Sequence, residues 1–490
     1  MSQLIQLHCN MKKYILLIVI SLSSFALPQG HFASFLNYIN SLPQAGRSAA
    51  ADSFIVYART RGIPFIDNDT AVFIYRGIVS SAGVAGDFNS WSLQPMQQIA
   101  GTSFYWYQSK FEMNARLDYK FVLNGNNFIL DPENPHTCTG GYGPNSELAM
   151  PAYVQPWDIY YKNWIQHGTV TVKNIFSVNV NTNYQVSIYL PPGYNSSVKY
   201  PSVYFQDGAE YISLASATTI LDNLIDSNKI DKVIGVFVKP NDRNNEYAGT
   251  TRNQYRLFFV NELVPLIDSL YSTFKDPAKR LVLGDSYGAN ISLLISYNHP
   301  DVFGNCGLQS SAFQPNSYEA SNLILNGPVK NIKFSNNWGT YMDPYLSLRS
   351  FRDNLISKGY SFYWRELPEG HSWGQWRATL KYILQDIFPK TSTGIHDIVT
   401  SNPKSFLLKQ NYPNPFNPST TIEFVLEKSS RVKLEIYNSL GQKAASLLND
   451  YKEAGAYKII FNALGLSSGV YFYTLTLPDQ VISRSMILLK

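Results

Sequence analysis

The chain has 490 residues, a formal net charge of +5, 45% hydrophobic residues and 14% aromatic ones. That length allows about three domains, and that apolar content can fill several cores, which excludes a generally disordered chain. A net charge this small, with no basic tract, argues against a nucleic-acid partner.

The N-terminus, MSQLIQLHCNMKKYILLIVISLSSFALPQG, places Lys12-Lys13 before the apolar run Tyr14 to Ile20 and then small or polar residues. This is the order of a secretory signal peptide, so residues 1–29 are expected to be a leader, with translation starting at Met11 and cleavage between about Ser24 and Gln29. The apolar run is too short for a bilayer span, and no other stretch is long enough, so an exported protein without a transmembrane span is expected. Cys9 would leave with the leader. Cys138 and Cys306 are expected as free buried thiols in preference to a disulfide, and no Cys/His spacing calls for a metal.

Residues 30–66 are expected to be a helical N-terminal segment. From 67 to 160 the chain turns to short β runs such as "AVFIYRGIV", "FYWYQSKFEM" and "LDYKFVLNG", which predict an immunoglobulin-like β-sandwich. "VAGDFNSWSLQPM" and "GTSFYWYQSKF" resemble the carbohydrate-binding-module-48 and isoamylase N-terminal family, and "DYKFVLNG", "LDPENP" and "NSELAMP" resemble the domain that precedes enterochelin-esterase-like catalytic domains. That resemblance implies a glycan surface on which Trp91, Trp106 and Phe128 could stack. Aromatic residues of a sandwich more often fill its core, so a structural role or a wall of the catalytic cleft is the favoured alternative.

Residues 161–389 alternate strands ("YQVSIYLPPGY", "YPSVYFQDG", "KVIGVFVKP", "RLVLGDS", "NCGLQSS", "IKFSNNWGT", "SFYWRELP") with helices such as "FFVNELVPLIDSLYSTF" and "YLSLRSFRDNLISKG". Alternation of this kind predicts a mostly parallel sheet covered on both faces, an α/β-hydrolase catalytic domain. Residues 390–406 are a polar linker. Residues 407–490 return to short strands and are expected to be a small C-terminal all-β domain. Asn411 to Pro418 (NYPNPFNP), Leu440-Gly441, Ser468 to Tyr471 (SGVY) and Lys490 closely resemble the type IX secretion C-terminal sorting domain, which implies the type IX machinery as a partner and a secreted or cell-surface protein.

Gly-x-Ser-x-Gly occurs at Gly284 to Gly288 and at Gly465 to Gly469. A nucleophile elbow needs a strand before its serine and a helix after it. Arg280 to Leu283 is apolar, and Ser286 to Asn298 carries apolar residues at helical spacing before His299-Pro300, whereas Ser467 precedes the alternating run "VYFYTLTL". Ser286 is therefore the expected nucleophile and Ser467 a turn residue.

A serine hydroxyl needs a base, and the base needs a group that fixes its tautomer, in the chain order Ser, acid, His. Of the histidines beyond Ser286, His299 closes the elbow helix, His396 lies in the linker, and His371 sits in the loop "LPEGHSWGQW" between the last strand and a terminal helix. His371 is the expected base. Asp343 in "NWGTYMDPY" follows a strand end and is the expected acid, with Glu319 as runner-up and an N-cap aspartate as its plain alternative. The oxyanion hole is expected from the backbone N–H groups of Tyr287 and Ala209, with Gly208 allowing close approach.

"QDG", "NDRNNEY", "NELVPLID", "GDSYGAN" and "GHSWGQW" occur in the order of the blocks of the esterase family that includes enterochelin esterases, feruloyl and acetylxylan esterases of carbohydrate esterase family 1, esterase D and mycolyltransferases. Residues 31–389 resemble that family, which implies a Ser-Asp-His carboxylic ester hydrolase without metal or cofactor. Gly339-Thr340-Tyr341-Met342-Asp343 departs from the family's Gly-Thr-x-Asp by one extra residue, which weakens Asp343. Arg243 and Glu246 are candidates for the pocket border or for a structural salt bridge with each other, and Trp373 and Trp376 for aromatic contacts or plain packing. The expected substrates are carbohydrate-linked feruloyl or acetyl esters. A siderophore trilactone, acyl transfer between sugars and an inactive surface glycan-binding protein are the alternatives.

Overall fold

The computed structural model describes residues 30–390, 407–426, 430–452, 455–478 and 481–489. The expected leader, Cys9, Met11, His396 and the linker segment 391–406 lie outside the described residues. The chain falls into two compact units that divide between Thr391 and Ser392.

The first unit begins with helices His31–Ser41 and Gln44–Arg59. Their apolar sides, Phe32, Phe35, Ile39, Phe54 and Ile55, pack on Val72, Ile74 and Phe104 of a four-stranded sheet. The opposite face of that sheet, with Ala71, Phe73 and Tyr105, meets Val84, Leu117, Tyr119 and Phe121 of a six-stranded sheet. Strand Thr70–Arg76 is therefore covered on both faces, which is why TAVFI is apolar at every position after Thr70 rather than at alternate ones. The three aromatic residues proposed as a glycan platform do not share a face. Trp106 stands edge-on to Phe32 under the helices, Trp91 donates its indole N–H to Asp87, and half-exposed Phe128 lies on the other sheet.

The catalytic sheet has eight strands: β1 Thr169–Ser177, β2 Thr182–Leu190, β3 Ser202–Phe205, β4 Ile234–Val238, β5 Arg280–Asp285, β6 Asn305–Gln309, β7 Lys333–Gly339 and β8 Ser361–Leu367. Their spatial order is β1-β2-β4-β3-β5-β6-β7-β8. The first two strands run antiparallel to their neighbours, and β4, β3 and β5 to β8 run parallel. One apolar cluster joins Val236, Val282, Leu308 and Phe334 to Ile291 and Ile295 of the helix Tyr287–Asn298. A second joins Val203, Phe205, Leu281 and Leu283 to Leu380, Ile383 and Leu384 of the helix Trp373–Ile387. The stretch read as one helix at FFVNELVPLIDSLYSTF is a π-helical turn, Phe258–Leu263, followed by an α-helix, Val264–Leu270. Pro265 supplies no N–H and crowds the preceding turn, so a widened turn just ahead of it is the expected relief. Cys138 and Cys306 are both buried free thiols, and burial pushes the Cys306 thiol up to about 12.

The second unit holds a three-stranded sheet (Leu407–Leu408, Ser419–Leu426, Gly455–Asn462) and a four-stranded sheet (Ser430–Asn438, Lys443–Lys452, Gly469–Thr476, Val481–Leu488). Ile422, Phe424, Leu434, Ile436 and Tyr473 are at its core. Among the described residues no helix is long and apolar enough to cross a membrane.

Candidate active site

Ser286 stands where β5 gives way to the helix Tyr287–Asn298, with φ 51° and ψ −118°. A serine held in that left-handed region is strained, and the surroundings enforce it: its N–H donates to Gln309 O at 2.9 Å, and its carbonyl accepts from Ala312 N–H at 3.2 Å. Gly284 is required by close approach, because a Cβ there would collide with the Gly288 backbone, while a Cβ on Gly288 would press on the Asp207 carboxylate at 3.0 Å. Ser467 lies between the strand ending at Asn462 and the one starting at Gly469, so it is a turn residue as expected.

The segments after β7 and β8 bring Asp343 and His371 together. Oδ1 of Asp343 is 2.6 Å from Nδ1 of His371, and Oδ2 accepts the Gly339 N–H at 2.6 Å. The Asp343 side chain is 0% exposed and that of His371 27%. The extra residue before Asp343 is absorbed locally: Met342 takes φ 66°, and the carboxylate still turns back onto the strand end. Burial pushes the His371 imidazole toward its neutral form, but the hydrogen bond and charge of Asp343, reinforced by Asp285 and Asp87, outweigh it and hold its pKa above the ordinary value.

The competing candidates are engaged elsewhere. His299 contacts the Arg256 guanidinium, and burial followed by that charge lowers its pKa. Glu319 pairs with Arg252 at 2.7 Å.

Arg243 and Glu246 do not pair with each other. Arg243 forms a two-pronged pair with Asp207 (2.7 and 2.8 Å) and its Nη2 lies 3.6 Å from Asp285 Oδ2. Glu246 is buried, accepting from Tyr184 OH at 2.6 Å and from Asn241 N–H at 3.1 Å, so it fixes its own loop instead of bordering a pocket. Trp373 is 7% exposed and packs edge-on against Tyr211 and Trp376, the core alternative for this residue. Trp376 donates its indole N–H to Ser310 Oγ at 3.0 Å and lies edge-on to His371.

Sequence reading did not single out Asp207 and Asp285. Both are buried carboxylates sharing one guanidinium, and burial, followed by the charge of Asp207, raises Asp285 to about 8. The signal was available, since Asp285 ends, and Asp207 lies two residues beyond, a strand whose centre is apolar and which is buried throughout. Ala209 is the second residue and Tyr287 the first of their helices, so neither N–H has an intrahelical acceptor. Gly208 is packed so closely on the backbone of Phe237 and Val238 that no side chain fits there.

Residues 177–355 match the model of the "Putative esterase" family, and residues 410–489 match that of the "Secretion system C-terminal sorting domain". Two curated relatives are each 29% identical to the chain. One is the uncharacterized protein YjcH of Bacillus subtilis, matched over 45% of this chain and 98% of that protein. The other is an endo-1,4-beta-xylanase/feruloyl esterase of Xylanibacter ruminicola, matched over 39% of this chain and only 28% of that protein. The crystal structure of the enterobactin esterase FES from Shigella flexneri superposes with a TM-score of 0.55 at 21% identity, covering 65% of this chain and 92% of that one, a likeness of fold. The C-terminal match indicates export through type IX secretion, to the surface or beyond. With residues 177–355 forming an esterase-family domain, the protein is a carboxylic ester hydrolase.

Proposed function

We propose that the protein is a secreted serine esterase that works through an acyl-enzyme, with Ser286 as nucleophile, His371 as base and Asp343 as the group that orients the base. The observation that carries this reading is the 2.6 Å contact between Asp343 and His371, made beyond the same ends of the parallel strands as the strained turn at Ser286. Asp343 at Nδ1 fixes the tautomer that leaves Nε2 free to accept a proton. Nε2 takes the Ser286 hydroxyl proton as Oγ attacks the ester carbonyl. The N–H groups of Ala209 and Tyr287 receive the resulting oxyanion, and the proton passes to the leaving alkoxide as the acyl-oxygen bond breaks. Water, deprotonated by the same imidazole, then releases the acid and restores Ser286.

A cavity of about 330 Å³ lined by Ser311, Phe313, Tyr318, Leu325, Pro344 and Phe351 adjoins this centre in the chain. Pro344 follows Asp343, and Ser311 precedes Ala312, whose N–H holds the Ser286 carbonyl. We assign it to the acyl group, and its mixed lining suits an aromatic or short acyl chain. The name of the Xylanibacter relative and the export signal support feruloyl or acetyl esters of plant polysaccharide as substrates. In this reading residues 30–66, 67–160 and 161–389 form the helical segment, the immunoglobulin-like sandwich and the catalytic domain. Initial rates on methyl ferulate, p-nitrophenyl acetate, acetylated xylan and ferric enterobactin test it. Selective turnover of ferric enterobactin would replace the polysaccharide substrate with a siderophore lactone.

A further inference from the structure

The loops that carry His371 and Asp343 both rest on the N-terminal β-sandwich. Arg116, which opens the sandwich strand Arg116–Leu123, is 0% exposed. Its guanidinium meets Asp118 at 2.6 Å and Glu147 at 2.9 Å, and donates to Ser372 Oγ at 3.3 Å. Its backbone N–H donates to Pro368 O at 3.1 Å. The same guanidinium fills the space that a side chain at Gly374 would need, and the Asp87 carboxylate fills the space at Gly370. Asp87 is itself held, accepting the Asp118 N–H at 2.8 Å and the Trp91 indole N–H at 3.0 Å. The residues on either side of His371 are therefore both seated on the sandwich.

The acid loop is seated in the same way. Tyr341, two residues before Asp343 and within its lengthened motif, donates its hydroxyl to Glu112 Oε2 at 2.6 Å, and its ring lies 6.3 Å from that of Phe111.

Desolvating a guanidinium and several carboxylates costs about as much as their mutual attraction returns, so a buried network like this adds little stability over apolar packing. What it does impose is geometry. A displacement of about 1 Å at a catalytic group can cost on the order of a hundredfold in rate.

We propose that Arg116, Asp87 and Tyr341 are positioning residues through which the β-sandwich holds the His371 and Asp343 loops in register. This role rests on the reading of Asp343 and His371 given above. It makes the sandwich part of the catalytic unit, whether or not it also binds glycan.

The test uses the full chain, p-nitrophenyl acetate as a small ester, and the variants Arg116→Lys, Tyr341→Phe and Asp87→Asn beside Ser286→Ala. Arg116→Lys should lower kcat about tenfold and Tyr341→Phe about threefold, with KM held within about twofold, because the acetyl ester is too small to need the sandwich for binding. Asp87→Asn removes one of the acidic groups that face His371, the others being Asp343 and Asp285; burial, followed by the charge of Asp118, raises Asp87 itself to about 7, so its loss should move the upper part of the acid limb of the pH–rate profile to lower pH. Arg243 beside Asp285, and Arg116, Glu147, Glu369 and Arg377 around the loop, are unchanged in that variant. Circular dichroism and melting temperature check the fold. If Arg116→Lys unfolds, Tyr341→Phe and Asp87→Asn decide the matter, since each changes one polar group only. Folded variants with wild-type kcat and an unmoved acid limb would overturn the positioning role. An active Ser286→Ala would instead overturn the catalytic reading on which it rests.

Discussion

Asp343 is held at both carboxylate oxygens, one by Nδ1 of His371 and the other by the Gly339 N–H, each at 2.6 Å. An amide at this position could keep only one of the two contacts without reversing the imidazole tautomer. Asp343→Asn is therefore expected to lower kcat by a factor on the order of 10³ to 10⁴ with the fold intact. A wild-type rate would move the acid role elsewhere, and Glu319 would first have to leave Arg252.

The proposed mechanism needs neutral His371, and the folded protein holds its pKa above the ordinary value. The rate should accordingly rise with pH through an inflection above about 6.5, the ordinary value for histidine. In Asp343→Asn the residual rate should show this inflection displaced to lower pH, because the group that most strongly favours the imidazolium is gone. Profiles of kcat/KM from pH 5 to 9 measure both.

Glu369, two residues before His371, is fully buried, and among the described residues its Oε2 has no hydrogen-bond partner. Burial raises its pKa to about 7, with Glu147 and Asp118 adding to the rise and Arg116 opposing it. The folded state thus binds more protons than the unfolded chain between the ordinary carboxylate pKa and about pH 7, so this group's stabilising contribution is complete in acid and lost as pH rises through 7. Glu369→Gln should leave the melting temperature nearly unchanged at pH 5 and raise it at pH 8, by up to about 3 kcal/mol in stability. Equal shifts at both pH values would contradict the buried-acid account.

Each sheet closes within its own unit, and the first unit is finished by Pro389 bridging to Ile230 and by the Lys390 N–H donating to Lys229 O. A chain ending at Lys390 should keep full esterase activity in vitro. In a host with type IX secretion it should accumulate as active enzyme in the periplasm, which fractionation and assay of each compartment would show. Truncated enzyme still at the surface would contradict the sorting role, and inactive enzyme would make the C-terminal domain part of the catalytic unit.

The strand and helix order of the catalytic domain was legible because strands buried on both faces read as apolar runs, as RLVLGD and SVYF do. Edge strand β1 carries no such signal, because TVTVKNIFS buries only Ile175 and Ser177. Ser286, His371 and Asp343 could be proposed from local grammar: a strand before one, a Gly-containing loop around another, a strand end before the third. The partners of Arg243 were not legible, since Asp207 lies 36 residues away and reaches it across β3 and β4. For the same reason nothing in the sequence tied Arg116 to Ser372, separated by 256 residues. A buried arginine inside RLDYKFVL was the clue that a partner had to exist.

Every step proposed for this site begins with Ser286 as the nucleophile. Incubation with a serine-reactive fluorophosphonate, followed by peptide mass spectrometry, tests it most directly. One phosphonyl group per chain is expected on the peptide containing Ser286, with loss of esterase activity in proportion to labelling, no adduct in Ser286→Ala and unchanged labelling in Ser467→Ala. Stoichiometric inactivation with the adduct on another residue, or ester hydrolysis retained by Ser286→Ala, would contradict it.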